Sequence, residues 1–159
     1  MPRFKNTPDP IPNLIANEIF VFGANSLGNH GGGAARAAAL YYGAINGEVH
    51  RTGRCYGLVT LNWSGKDDEE TFSSTKLSHD ELVEEFRLFL RQTELESEKT
   101  FYLTKVGLGI AGYTVEEIVF ALAKSFGGKK YNNLVLPIEF EKELEKLNQK
   151  GIAAYMTAC

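Results

Sequence analysis

The chain has 159 residues, 43% of them hydrophobic and 23% charged, with a net charge of -3 at neutral pH. That length and composition suit one compact domain with a substantial core. The acidic balance argues against a dedicated nucleic-acid binder, and no run of about 18 apolar residues is present to span a membrane. Cys55 and Cys159 are the two cysteines, too few for a disulfide framework and without a zinc pattern. One basic residue flanks Phe4 on each side with no apolar run behind it, so no signal peptide is expected and a cytoplasmic protein is.

Residues 1–17 hold four of the five prolines and little periodicity, so they read as an irregular leader to a single domain covering 1–159. A strand is expected over 18–22, bounded by Gly23. Alanine-rich residues 33–42 form a helix that Gly43 ends, and 55–61 make a second core strand. The stretch 64–75, with its acidic run Asp67-Asp68-Glu69-Glu70, reads as a solvated loop. Ser78 and Glu81 form a capping box for a helix with the apolar stripe Leu82, Val83, Phe86, Phe89 and Leu90. A third strand, 100–106, leads into Gly107-Leu108-Gly109-Ile110-Ala111-Gly112-Tyr113. Thr114 and Glu117 then cap a helix bearing Ile118, Val119, Leu122 and Phe126, stopped at Gly127-Gly128. A fourth strand at 134–138 and a charged helix at 140–150, closed by Gly151, complete the pattern. Alternating strands and helices imply an α/β sandwich, with helices on both faces of a largely parallel sheet.

Two segments carry the chemistry. In the first, a strand ends at Asn25 within a loop holding Gly23, Gly28, Gly31, Gly32 and Gly33, and the chain resumes as a helix. Glycines let a ligand approach the backbone, and a helix N-terminus favours an anion such as a phosphate. Asn25 offers both a donor and an acceptor. The second is the loop 107–112. In open α/β sheets ligands lie beyond the carboxyl ends of the strands, and both loops leave such ends. They are therefore expected to form two walls of one cleft.

Gly107-x-Gly109-x-x-Gly112 matches the dinucleotide fingerprint by letter only. The helix begins after the last glycine, at Thr114, and the acidic residue expected about 20 positions on is replaced by Gly127-Gly128-Lys129-Lys130. No P-loop occurs, no serine sits in a nucleophile elbow, and Cys55 lies in an apolar strand where its role is structural. His30, His50 and His79 are too scattered for a metal site. His30 lies in the first glycine loop, within reach of a phosphate or ribose or else simply facing solvent. Tyr113 either stacks on a ribose or base, or staples onto Ile118 ahead of the helix. Glu48, His50 and Arg51 precede the second strand, where Gly53 turns the chain. A carboxylate or imidazole there has the chemistry of a general acid or base.

Phe22-Gly23-Ala24-Asn25 with Gly31-Gly32-Gly33-Ala34-Ala35, followed by Gly107-Leu108-Gly109-Ile110-Ala111-Gly112-Tyr113, resembles a macro-domain-like family of bacteria and phages over residues 18–138. The resemblance implies a three-layer sandwich with a parallel or mixed central sheet, and an ADP-ribose site. By it, Asn25 would meet the distal ribose, which Phe22, Gly23 and Gly31–Gly33 would approach, with Gly53 in the position of a family glycine. Gly107, Gly109, Ile110, Ala111 and Gly112 would contact the diphosphate, and Tyr113 would flank a ribose. The adenine-binding aspartate of macro domains has no counterpart, since Glu18 lies at the wrong end of its strand. The Gly31–Gly33 run also resembles poly(ADP-ribose) glycohydrolases, but their paired glutamates are missing and Glu48 stands alone. The expected function is binding of ADP-ribose, a related nucleotide or an ADP-ribosylated macromolecule, with no cofactor or metal. The alternatives are a hydrolase of the distal glycosidic bond, using Asn25, His30 or Glu48, and an interaction protein with a vestigial cleft.

Overall fold

The computed structural model describes residues 2–64 and 73–151. The acidic run 67–70 and Cys159 lie outside these residues. The strands are β1 (Glu18–Asn25), β2 (His50–Thr52), β3 (Cys55–Ser64), β4 (Ser73–Lys76), β5 (Thr100–Leu103) and β6 (Leu134–Val135). The helices are α1 (Gly33–Tyr41), α2 (His79–Leu95), α3 (Val115–Phe126) and α4 (Ile138–Gln149). The strands form one mixed sheet in the order β2-β3-β1-β5-β6, with β4 also pairing to β3. The strands β3, β1, β5 and β6 run parallel, and β2 and β4 are antiparallel additions to β3.

The alternation of side chains along a strand divides the interior into two cores. On β1, Ile19 and Val21 enter one core while Phe20, Phe22 and Ala24 enter the other. On β5, Phe101 and Leu103 join the first and Tyr102 the second. The first core is closed by the stripe read from the sequence of α2, by Ile118, Val119 and Leu122 of α3, and by Phe140 of α4. Both anticipated capping boxes form, with Ser78 and Thr114 each bonded reciprocally to the glutamate three residues on. The second core is covered by Ala38 of the short helix α1 and by the leader, which contributes Leu14, Phe4 and Ile11. The result is an α/β structure of three layers.

The leader has no regular secondary structure, as expected, yet it belongs to the fold. Thr7 donates from its N–H to the Leu136 carbonyl (3.0 Å) and from its hydroxyl to that of Val135 (3.2 Å). Arg3 pairs with buried Glu18 at 2.6 Å, and the Tyr102 hydroxyl donates to the same carboxylate. Burial pushes Glu18 upward, but the bonds from Arg3, the Ile15 N–H and Tyr102 outweigh it and hold the carboxyl below its ordinary value.

Several boundaries differ from expectation. β1 continues through Gly23 to Asn25, where a register shift against β3 bends its end. β2 and β4 are additions: His50–Thr52 is polar and only half-buried, so neither alternation nor hydrophobicity marks it. β4 occupies the end of the expected loop 64–75, and residues 65–72 of that loop lie outside the described ones. β5 stops at Leu103, because Thr104 turns its hydroxyl back onto the Val21 carbonyl at 2.7 Å. The expected strand 134–138 shortens to two residues, since Pro137 opens α4.

Arg51 of β2 forks onto Glu96 at the end of α2, with Nε to Oε2 at 2.8 Å and Nη2 to Oε1 at 3.1 Å. Partial burial pushes the Glu96 carboxyl up, but Arg51, Gln92 and Lys99 pull it down further, from 4.5 to about 2. A depressed carboxyl stabilises the fold above its ordinary value, and that contribution disappears as pH falls through the depressed one. Arg51→Met is therefore expected to lower stability to urea at neutral pH, with the gap from the parent shrinking between pH 4.5 and about 2. Urea midpoints measured across that range check this.

Candidate functional site

Because β3, β1 and β5 are parallel, their carboxyl ends open on one edge of the sheet, and a cleft of about 570 Å³ lies there. Both glycine loops line it. Gly23, Asn25, Gly31, Gly32 and Gly33 come from the first; Gly107, Gly109, Ile110 and Ala111 come from the second. The remaining wall consists of Ala24, Asn29, Ala34 and Ala35, of Thr60, Leu61 and Trp63 on β3, and of Thr104, Lys105 and Val106 after β5. The volume falls in the range of small-molecule sites, about 300–1,000 Å³.

The first wall ends on the N-terminus of α1. Its N-cap is Gly32, which provides no capping side chain, and the N–H groups of Gly33, Ala34 and Ala35 donate to no acceptor among the described residues. A β-carbon built on Gly32 or Gly33 would meet nothing within 4 Å, so both face open space. Asn25 organises the loop itself: its Nδ2 donates to the Asn29 carbonyl (2.9 Å) and its Oδ1 accepts the Asn29 N–H (3.0 Å). One N–H and one lone pair of that amide remain for the cleft.

The second wall comes from the turn after β5, residues 107–112. The Gly112 N–H donates to Gly109 (3.0 Å) and the Tyr113 N–H to Gly107 (2.9 Å), closing the loop on itself. The successive N–H groups of residues 107 to 111 donate to no acceptor among the described residues. Consecutive amides that converge form an anion-binding concavity. Lys105 is the one formally charged side chain among the described lining residues, and no carboxylate is among them.

Six of the residues expected at the site lie elsewhere. Phe22 is buried in the second core against Phe20 and His30. His30 is 4% exposed and its Nε2 lies 3.0 Å from the Glu48 carbonyl; a carbonyl only accepts, so Nε2 carries the proton. Its N–H bonds Asn46, so His30 fastens the loop to the 45–48 turn from behind. Glu48 contributes backbone there, and its exposed side chain does not line the cleft. Gly53 has φ +49, and a β-carbon on it would sit 2.6 Å from the Tyr42 carbonyl, so its role is the close packing of the β2–β3 turn on α1. Gly112, at φ +75, supplies the left-handed turn that ends the second loop. Tyr113 is buried, its hydroxyl donating to the Leu77 carbonyl at 2.6 Å. Burial raises that hydroxyl to about 12, keeping it a donor. Cys55 is buried too, and burial pushes its thiol up, away from nucleophilic use.

The lining residues outside the two glycine segments, none of them singled out from the sequence, are Thr60, Leu61, Trp63, Thr104, Lys105 and Val106. Their signal was positional. Thr60, Leu61 and Trp63 lie in the carboxyl-terminal half of β3 and Thr104, Lys105 and Val106 just beyond β5, both strands parallel to β1, on the side where an open α/β sheet places its ligands. No protein-family model, curated protein or solved structure matches this chain significantly.

The two glycines that open the second loop separate packing from binding. A β-carbon on Gly107, at φ +78, would lie 2.7 Å from Ile118 Cδ1 and 2.9 Å from Tyr113 Cδ2, whereas one on Gly109 would meet nothing. Gly107→Ala is expected to cost about 2–4 kcal/mol through strain and overpacking. Gly109→Ala is expected to stay within about 0.5 kcal/mol of the parent. Urea unfolding of both variants gives the comparison.

Proposed function

We propose that this chain binds a phosphate-bearing nucleotide of the ADP-ribose type between its two glycine loops, in the manner of a macro domain. The observation that carries the reading is the set of main-chain N–H groups with no acceptor among the described residues: those of Gly107, Gly109, Ile110 and Ala111 on one wall and of the uncapped start of α1 on the other. Donors fixed by the backbone complement phosphate oxygens without side-chain ordering, and the helix dipole adds to their attraction. Asn25, with its remaining N–H and lone pair, would meet a ribose beside Gly31–Gly33. An ADP-ribosyl group on a macromolecule presents the same features to this cleft.

Binding is favoured over hydrolysis because His30 and Glu48, the expected acid–base residues, are absent from the lining, which leaves Lys105 as its one titratable group among the described residues. Proton transfer needs a group within hydrogen-bond reach of the reacting atom. A vestigial cleft is disfavoured by its volume and by the open space in front of Gly32, Gly33 and Gly109.

Titration calorimetry with ADP-ribose, NAD, cyclic ADP-ribose and AMP tests the reading. ADP-ribose or a relative is expected to bind in the micromolar range, about 8 kcal/mol. Gly109→Val is expected to abolish that binding with the fold intact, by occupying the space of a phosphate. Equal affinity in parent and variant would remove the phosphate loop from the site. Single-turnover assays on ADP-ribosylated substrates are expected to show no glycosidic cleavage. Cleavage sensitive to Asn25→Ala would make the chain a hydrolase instead.

A further inference from the structure

We infer that Lys105 is the residue that selects for anionic ligands in this cleft, and that it does so by giving up the Asp9 carboxylate of the leader in exchange for a ligand phosphate oxygen. The inference rests on the cleft being a phosphate site, and adds to it a charge selector and an internal competitor.

Lys105 lines the cleft two residues before the run of unpaired N–H groups that begins at Gly107. Its Nζ lies 2.8 Å from Asp9 Oδ2, and the two side chains are 40% and 67% exposed. An ion pair this open is weak, because water screens both charges and two mobile side chains must be held still. A phosphate seated on fixed backbone donors offers Lys105 a partner that is already positioned and carries more charge. The exchange therefore runs downhill when such a ligand arrives, and a neutral nucleoside gains nothing from it.

The surroundings keep the lysine ready for this role. Hydrogen bonding and attraction to Asp9, with the field of Glu139 from the first turn of α4, raise the Lys105 amine above its ordinary value, so it is charged at neutral pH. Asp9 does not depend on Lys105 for its place. Two residues before it, Thr7 is anchored to the backbone of Leu136 and Val135, so loss of the ion pair leaves the leader attached to the sheet. Asp9 thus sets a threshold that a ligand's negative charge must exceed.

Calorimetry of the full chain with inorganic pyrophosphate and with ADP-ribose tests this in a double-mutant cycle. Asp9→Asn is expected to tighten pyrophosphate binding about threefold, and Lys105→Met to weaken it about tenfold. In the Lys105→Met background, Asp9→Asn is expected to have no further effect. Both positions are exposed and circular dichroism should show all four proteins folded alike. If Asp9→Asn acts equally with and without Lys105, Asp9 merely adds to the general field and the exchange is overturned, even where ADP-ribose binds well. If pyrophosphate follows the expected cycle while ADP-ribose does not bind, the exchange holds and the nucleotide reading falls. Pyrophosphate bound by none of the four proteins would overturn the exchange, and absence of ADP-ribose binding as well would overturn both.

Discussion

The structure depends on the position of β1 between β3 and β5, parallel to both. Each hydrogen-bonding edge of β1 is used and each face is buried, which is why its sequence reads as a continuous apolar run. The same alignment brings three chain exits to one edge of the sheet. At that edge the loops come close: a β-carbon on Gly23 would lie 3.4 Å from the Gly107 nitrogen and 3.5 Å from the Thr60 hydroxyl. The cleft is thus a consequence of strand direction, with glycine permitting the approach.

The site is built mainly from backbone, and its polar side chains chiefly hold that backbone in place. Asn25 closes the first loop onto Asn29, His30 ties it to Glu48, and Gly28 leaves room for that same turn, whose backbone would lie 2.6 Å from a β-carbon. On the second wall, Tyr113 bonds the Leu77 carbonyl and packs against Gly107, joining the loop to the core under α3. Donors fixed in this way lose little entropy on meeting an anion, and preorganisation is where binding energy is most easily retained. In the binding we propose, the specificity left to side chains would fall on few groups, Asn25 and Lys105 foremost.

The leader shows how uneven the two faces of the sheet are. Among the described residues three helices cover one face, while the nine-residue α1 packs on the other. Phe4, Ile11 and Leu14 add to that second layer, and exposed Arg3, held by Glu18 of the buried Glu18–Tyr102 pair, fixes its start. Glu18, at the opposite end of β1 from the cleft, is thereby a structural anchor for the leader.

The sequence by itself determined the elements whose signals are local. The two capping boxes, the stripe of α2, the apolar core strands and the glycine loops after them follow from periodicity, side-chain hydrogen bonding to nearby amides and backbone freedom. It also marked Gly31–Gly33, Gly107 and Gly109 as loop residues after core strands, whereas Gly23 and Asn25 fall within the end of β1. Only tertiary structure decided what those loops and their neighbours face. His30 and Tyr113 stand within or beside the same motifs as the lining residues, yet their side chains turn toward the scaffold, and Gly53 packs on Tyr42, because which way a loop residue faces depends on what packs behind it. Likewise β2 and β4 form because β3 offers them an edge, and Lys105 meets Asp9 because the leader crosses the sheet. Nothing local records a partner 96 positions away in the chain.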